Sequence, residues 1–206
     1  MSGLYSVKPW FVRRLRGIED ALVERRVSPD TLTIAAIGVS VATGAVLAAG
    51  GALSEPLLWL LVPPLGLVRL ALNALDGAVA RRIGGGSPFG EVMNEMGDRL
   101  GDVALIAPLA FVISPALALS ALACALLASA AGVAGRSVSG VRLAGGPMGK
   151  ADRVAVLAVS AGAAALTAST LPFVIAAWVI AAGSVVTMGL RIATLARGEV
   201  TADVRR

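Results

Sequence analysis

The sequence predicts an all-α integral membrane protein, with six transmembrane helices preceded by an N-terminal amphipathic interfacial helix. Three observations predict it. The chain of 206 residues is 57% hydrophobic and 15% charged, with a mean hydropathy of +0.84, outside the usual composition of a soluble domain. Its apolar residues gather into six stretches, about 31–50, 56–80, 95–113, 115–135, 151–169 and 171–193, each near the ~20 residues that a bilayer crossing needs. Lys and Arg fall in alternate connections between these stretches.

The elements follow in order. Between residues 8 and 27, Trp10, Phe11, Leu15, Ile18, Leu22 and Val23 recur at helical spacing, with Arg and Glu between them. Two placements fit such a helix: lying on the inner leaflet with Trp10 at the headgroups, or packed on the cytoplasmic face of the bundle. Ser28-Pro29-Asp30 supplies a capping residue and a proline to open the first span. Gly50, Gly51 and Ser54-Glu55-Pro56 separate it from the second, where Pro63-Pro64 is expected to kink or locally open the helix. Ser114-Pro115 and the stretch from Ser169 to Pro172 read as short turns. The spans must pack on one another, so residues 1–206 form a single membrane domain, with the bundle at 31–193 and a cytoplasmic tail at 194–206.

The basic residues orient the bundle. The N-terminal segment holds Lys8, Arg13, Arg14, Arg16, Arg25 and Arg26. Arg81 and Arg82 follow the second span, and Arg136, Arg142, Lys150 and Arg153 surround the connection after the fourth. Arg197, Arg205 and Arg206 lie in the tail. The connections near 51–55, 114 and 170 hold no Lys or Arg. By the positive-inside rule, both termini and the two long connections face the cytoplasm at the inner membrane. No apolar core followed by a small-residue cleavage site marks a signal peptide. Membrane lipids are the expected surroundings, and no nucleic-acid partner is expected.

Cys124, the one cysteine, reads as a small buried apolar residue and permits no intramolecular disulfide. There is no histidine, so acid–base or metal chemistry must rest on Asp, Glu and Asn. Asp76, Glu91, Glu95, Asp98 and Asp102 cluster at the cytoplasmic junction of the second and third spans. Ionisable groups at membrane depth are costly and mark function by default. Asn73 and Asp76 are three apart, and Asn94 and Asp98 four apart, spacings that share a helix face. Two such helices can converge oxygen ligands on a hard cation. Gly77, Gly90, Gly97 and Gly101 leave room for close backbones and a bulky phosphate. A solvated polar rim at two helix ends would show the same spacing.

The run Asn73-x-x-Asp76-Gly77-x-x-Ala80-Arg81-x8-Gly90-x3-Asn94-x3-Asp98 resembles the pattern D-x-x-D-G-x-x-A-R-x8-G-x3-D-x3-D of the CDP-alcohol phosphatidyltransferase family. Every spacing matches, and Asn73 and Asn94 stand where the family has Asp. The frame resembles the family too, with six spans, an amphipathic N-terminal helix and the Ser28-Pro29-Asp30 entry. The resemblance implies an enzyme of phospholipid biosynthesis that moves a phosphatidyl-type group from CDP-diacylglycerol to a hydroxyl of a small polar alcohol, releasing CMP. It implies two Mg²⁺ or Mn²⁺ ions held at Asn73, Asp76, Asn94 and Asp98, with Asp98 as general base. Gly77, Ala80, Arg81 and Gly90 would meet the CDP-lipid. It also implies a possible homodimer.

The two Asn residues keep an oxygen ligand and remove a charge. Either one ion is held weakly, or Glu91, Glu95 or Asp102 restores the charge. The Gly-rich run from Gly145 opens into a helix at Lys150, and Arg136, Lys150 and Arg153 are candidates for holding the acceptor, since helix N-termini and cations attract phosphate. The same residues also satisfy the positive-inside rule and attract anionic headgroups. Asp152 is expected to partner Arg153 or Lys150. Two other functions compete. A cation-coupled transporter would show mid-membrane polar groups and repeat symmetry, whereas these acids hug one interface. A catalytically inactive scaffold is thinkable from the two Asn residues, but Asp76, Arg81 and Asp98 are retained.

The orientation is directly testable. In intact cells, an impermeant thiol reagent should label Leu53→Cys and Thr170→Cys and miss Gly145→Cys. Labelling at 145 overturns the topology.

Overall fold

Prolines and small capping groups start almost every helix of this chain. The structure, a computed structural model, describes residues 11, 13–85, 88–140, 143 and 145–197. Lys8, Trp10, Arg142, Arg205 and Arg206 lie outside the described residues, as does most of the tail. A short helix α1, Arg16–Glu24, precedes α2, Pro29–Ala52. Ser28 caps α2 by accepting the Thr31 amide at 3.1 Å, and Pro29 begins it, where a missing N–H does no harm. A 3-10 segment, Pro56–Leu61, leads into α3, Val62–Arg82. Helix α4, Pro88–Ile106, continues as 3-10 through Ala107–Phe111. Then come α5, Pro115–Ser139, α6, Lys150–Thr167, and α7, Leu171–Ala196.

Six long helical segments thus stand where six apolar stretches predicted them. Four of them, Pro29–Ala52, Pro56–Arg82, Pro115–Ser139 and Leu171–Ala196, are long and apolar enough to cross a membrane. The other two, α4 and α6, carry Asn94, Asp98, Asp102, Lys150 and Arg153. Two expectations are refined. Pro63-Pro64 sits at a change of helix type, 3-10 to α, within the Pro56–Arg82 segment. The pair falls in the first turn of α3, just after the 3-10 segment, where proline lacks no needed donor. Helix α4 begins at Pro88 rather than near 95, because its charged first turns hide it from a reading based on hydropathy.

The six helices close a ring in the order α2, α3, α6, α7, α5, α4 and back to α2. Small residues let α5 and α7 approach: Ala118, Ala121, Ala125 and Ala128 are wholly buried at three- and four-residue spacing. The interior is asymmetric along the ring axis. Toward the 53–55, 112–114 and 168–170 turns it is apolar, with Leu47, Leu109, Phe173 and Ile180 fully buried. Trp59 meets Phe173 edge to face at a centroid distance of 5.0 Å, and its Nε1 donates to the Leu47 carbonyl at 3.2 Å. Toward the opposite end the buried residues include the charged Arg69, Asp76, Asp98, Asp102 and Arg153.

Helix α1 packs over that charged end. Leu15, Leu22 and Val23 cover Leu32, Leu75 and Val79, and Arg82 pairs with Asp20 and Glu19. Of the two placements open for this helix, the described part takes the one packed on the bundle. The outer surface of the ring is apolar, as Leu67, Phe111, Leu127, Val159, Leu166 and Ile175 show, which suits lipid rather than water.

Helices α2 and α4 cross closely at Gly44, where an added Cβ would lie 2.0 Å from the Ala104 carbonyl oxygen. Gly38 on the same helix has open space around it. Gly44→Ala should therefore lower thermal stability by ~1–3 kcal/mol, while Gly38→Ala should leave it unchanged or raise it by up to ~1 kcal/mol. Equal melting temperatures for the two variants in detergent would mean that α2 and α4 do not touch at this point.

Candidate active site

Three helices of the ring bring the predicted residues toward one another at its charged end. Helix α3 carries Asn73 and Asp76, α4 carries Asn94 and Asp98, and α6 carries Lys150 and Arg153. Asp76 is buried. Its Oδ2 accepts the Thr33 hydroxyl of α2 at 3.3 Å, and its Oδ1 accepts the Gly77 amide. Asp98 is buried, and its two oxygens accept Lys150 Nζ at 2.9 and 3.0 Å. Asp98 and Lys150 both act electrostatically on Asp76, so the three charges form one group. Asn73 and Asn94 are half-buried. Gly97 makes the approach possible: a Cβ there would lie 2.8 Å from Thr33 Cγ2, pushing α4 off α2.

The remaining motif residues line the rim. Gly77, Ala80 and Gly90 are half-buried, and Arg81 is exposed. A Cβ on Gly77 would stand 3.4 Å from Arg81 Nη1, an ordinary contact, so the Arg81 side chain folds back beside its own helix. Glu91 is exposed and ion-pairs with Arg136 of α5. Glu95 pairs with Arg99 one turn along α4. These two carboxylates thus hold cations of their own, and Arg136 is held by Glu91.

Lys150 and Arg153 take ion partners from α4. Arg153 Nη2 lies 2.6 Å from Asp102 Oδ2. Asp152 accepts the Gly149 amide at 2.9 Å, a capping role that an acid in the first turn fills readily. The loop before α6 is fixed to α7: the Met148 amide donates to Thr187 Oγ1 at 2.9 Å, and Arg191 Nε donates to the Gly145 carbonyl at 3.1 Å. Gly146 has φ +101°, and a Cβ on it would strike Thr187, so this turn needs glycine. Residues that the sequence left unmarked complete the site: Thr33, which orients Asp76, Ser129, whose hydroxyl receives Arg153 at 3.2 Å, and Arg69, 2% exposed and 3.6 Å from Asp102. Only Arg69 left a trace, as a cation within an apolar stretch seven residues before Asp76.

A groove of about 760 Å³ runs between α3 and α6. Its walls are apolar, from Pro63, Leu67 and Leu70 to Ala158, Val159 and Leu166. Asn73 and Lys150 supply its polar lining, and Phe11 lies beside them. An apolar trench thus ends against the Asp76–Asp98–Lys150 group.

The donor set can be tested against a metal. Among the described residues, no three Asp, Glu, His or Cys gather as a closed cage. Two carboxylates and two amides, all oxygen donors without sulfur or imidazole, fit a hard divalent cation that shares its shell with substrate phosphates.

The chain matches no family model. It is 36% identical over 155 residues to the inner membrane protein YnbA of Escherichia coli, covering 74% of this chain and 76% of that one. It is 31% identical over 202 residues to phosphatidylinositol phosphate synthase of Mycolicibacterium smegmatis, covering 93% and 88%. Its fold is similar to the crystal structure of Mycobacterium tuberculosis phosphatidylinositol phosphate synthase with CDP-DAG bound, with a TM-score of 0.70 at 24% identity, over 88% of this chain and 93% of that one. The structure of that synthase in complex with manganese and citrate gives 0.68 at 25% identity, over 86% and 87%.

Proposed function

The chain belongs to the CDP-alcohol phosphatidyltransferase family, and we propose that it transfers a phosphatidyl group from CDP-diacylglycerol to a hydroxyl of a small polar alcohol, releasing CMP. The observation that carries this reading is the groove. It offers an apolar trench for acyl chains that ends at Asn73 and Lys150, beside two buried carboxylates. The ligand bound in the mycobacterial structure, CDP-DAG, has this division into tail and charged head.

In this reading all six long helices span the inner membrane, with the charged end and both termini cytoplasmic, as the Lys/Arg distribution indicates. The tails lie between α3 and α6, and the pyrophosphate sits over Asn73, Asp76, Asn94 and Asp98. Two Mg²⁺ or Mn²⁺ ions would be held by these four side chains and would supply charge neutralisation for the pyrophosphate and the departing CMP. Manganese in the mycobacterial relative supports a divalent ion. Gly77, Ala80, Arg81 and Gly90 border the nucleotide side. Lys150, at the groove's end, is placed to pair with a phosphate of the incoming donor, which would release Asp98 from its ammonium. Asp98 then takes the proton of the acceptor hydroxyl. The acceptor oxygen forms a bond to the lipid-side phosphorus, and the bond from that phosphorus to CMP breaks, CMP keeping the electron pair. Arg136, and Lys150 through its remaining N–H donors, would hold the acceptor, with Arg153 buried one turn beneath Lys150.

The decisive assay is CMP release from CDP-diacylglycerol, with inositol phosphate, glycerol phosphate and uncharged alcohols as separate acceptors. No release with any of them would sink the reading in favour of an inactive scaffold. Asp98→Asn should lower turnover by at least ~100-fold, the lower range for a positioned general base, while CDP-diacylglycerol still binds. A near-normal rate would hand the role of base to another carboxylate such as Glu95.

The two amides give a further test. Glu91 and Glu95 hold Arg136 and Arg99, so an added carboxylate meets little competing charge. Asn73→Asp and Asn94→Asp should stay active and lower the Mg²⁺ concentration for half-maximal rate. If neither variant moves that concentration, the ions are not held by these faces of α3 and α4.

A further inference from the structure

Beneath the Asp76–Asp98–Lys150 group lies a second layer of charge on the same three helices. Arg69 of α3, Asp102 of α4 and Arg153 of α6 are all buried. Each stands on the same face as a residue one turn nearer the charged end: Arg69 under Asn73, Asp102 under Asp98 and Arg153 under Lys150. Asp102 lies between the two guanidiniums, its Oδ2 at 2.6 Å from Arg153 and its Oδ1 at 3.6 Å from Arg69. Arg69 Nη1 has no hydrogen-bond partner among the described residues. Gly101 clears a path for this side chain, since a Cβ there would lie 2.5 Å from Arg69 Nη2.

The layer matters because α3 and α4 are not ring neighbours. Both pack against α2, and α3 packs on its other side against α6. Direct packing of α3 on α4 therefore does not set the distance between Asp76 and Asp98, which is held through α2 and through side chains that cross between the two helices. Arg69 is the long, rigid side chain that bridges the gap at this depth, and it also lies in the field of Asp98. Arg153 already neutralises Asp102, so a second guanidinium is not needed to balance that carboxylate.

We infer that Arg69 is a positioning residue that sets the α3–α4 gap and so the placement of Asp76 and Asn73 against Asp98. The inference rests on the proposed reading for the chemistry at Asp98, and on geometry alone for the spacing.

The test uses the full chain in detergent. Arg69→Met keeps an apolar stem, and Asp102 keeps Arg153 as its partner, so no buried charge is left uncompensated. The melting temperature should therefore hold. The kcat for CMP release should fall by about 100-fold, the scale of a displacement of ~1 Å, with KM for CDP-diacylglycerol nearly unchanged. Arg69→Lys should recover part of kcat. A second readout needs no activity: Asp76→Cys with Asp98→Cys, in a Cys124→Ser background, is bridged by a short thiol–thiol crosslinker. Arg69→Met should cut the crosslinked yield severalfold. If Arg69→Met does not fold, Arg69→Lys carries both measurements, because it keeps the charge and loses the planar fork. Wild-type kcat, or an unchanged crosslink yield, overturns the inference. A reduced yield in a protein that never releases CMP sinks the proposed function and leaves the spacing role standing.

Discussion

The Asp102 carboxylate between Arg153 and Arg69 is the contact on which the charged end of this bundle depends. A carboxylate at membrane depth is destabilised by several kcal/mol if left alone, and each partner comes from a different helix. Once α3, α4 and α6 satisfy Asp102, their rotations are constrained. The residues one turn away then have little freedom: Asp98 meets Lys150, and Asp76 turns to Thr33 and the Gly77 amide. The apolar end needs no such device, because Leu47, Trp59, Leu109 and Phe173 fill it by shape.

The same division explains what the sequence reveals and what it hides. Apolar runs punctuated by Pro, Ser and Gly mark the ends of α2, α5 and α7 closely, since those cues act within a few residues. Helix α4 is blurred because its charges, from Glu91 to Asp102, look like the edge of a span. The motif from Asn73 to Asp98 is legible because it resembles the family's pattern, and helical spacing puts its members on shared faces. The pairing of Glu95 with Arg99 is of that local kind. The pairing of Glu91 with Arg136 is not, since it joins residues far apart in the chain. Nor is that of Arg153 with Asp102 rather than with a neighbour in sequence. Arg69 is the clearest case of concealment. In the sequence it is one more arginine near a span, and its weight comes from Gly101 of another helix making room for it.

The relatives place the chain in a family, and the departures at Asn73 and Asn94 give it an individual character within that family. A site with two carboxylates and a lysine seated on one of them carries less negative charge than the family pattern would give. That difference is electrostatic before it is chemical, and it bears on the donor's pyrophosphate, the most highly charged part of the proposed substrate.

The groove between α3 and α6 opens on the outer surface of the bundle. Leu67, Val159 and Leu166, which line it, are at least 60% exposed. Along α6 it runs from Lys150 to Leu166, some ~24 Å at helical rise, longer than one leaflet's ~15 Å of hydrocarbon. An acyl chain seated there is walled by protein on one flank and by neighbouring lipids on the other. Chain length and unsaturation would then be sensed mostly by the bilayer, and a lipid could slide in or out sideways without its tails ever meeting water. Selectivity in such an arrangement belongs to the headgroup, and the supply of donor is set by lateral diffusion in two dimensions.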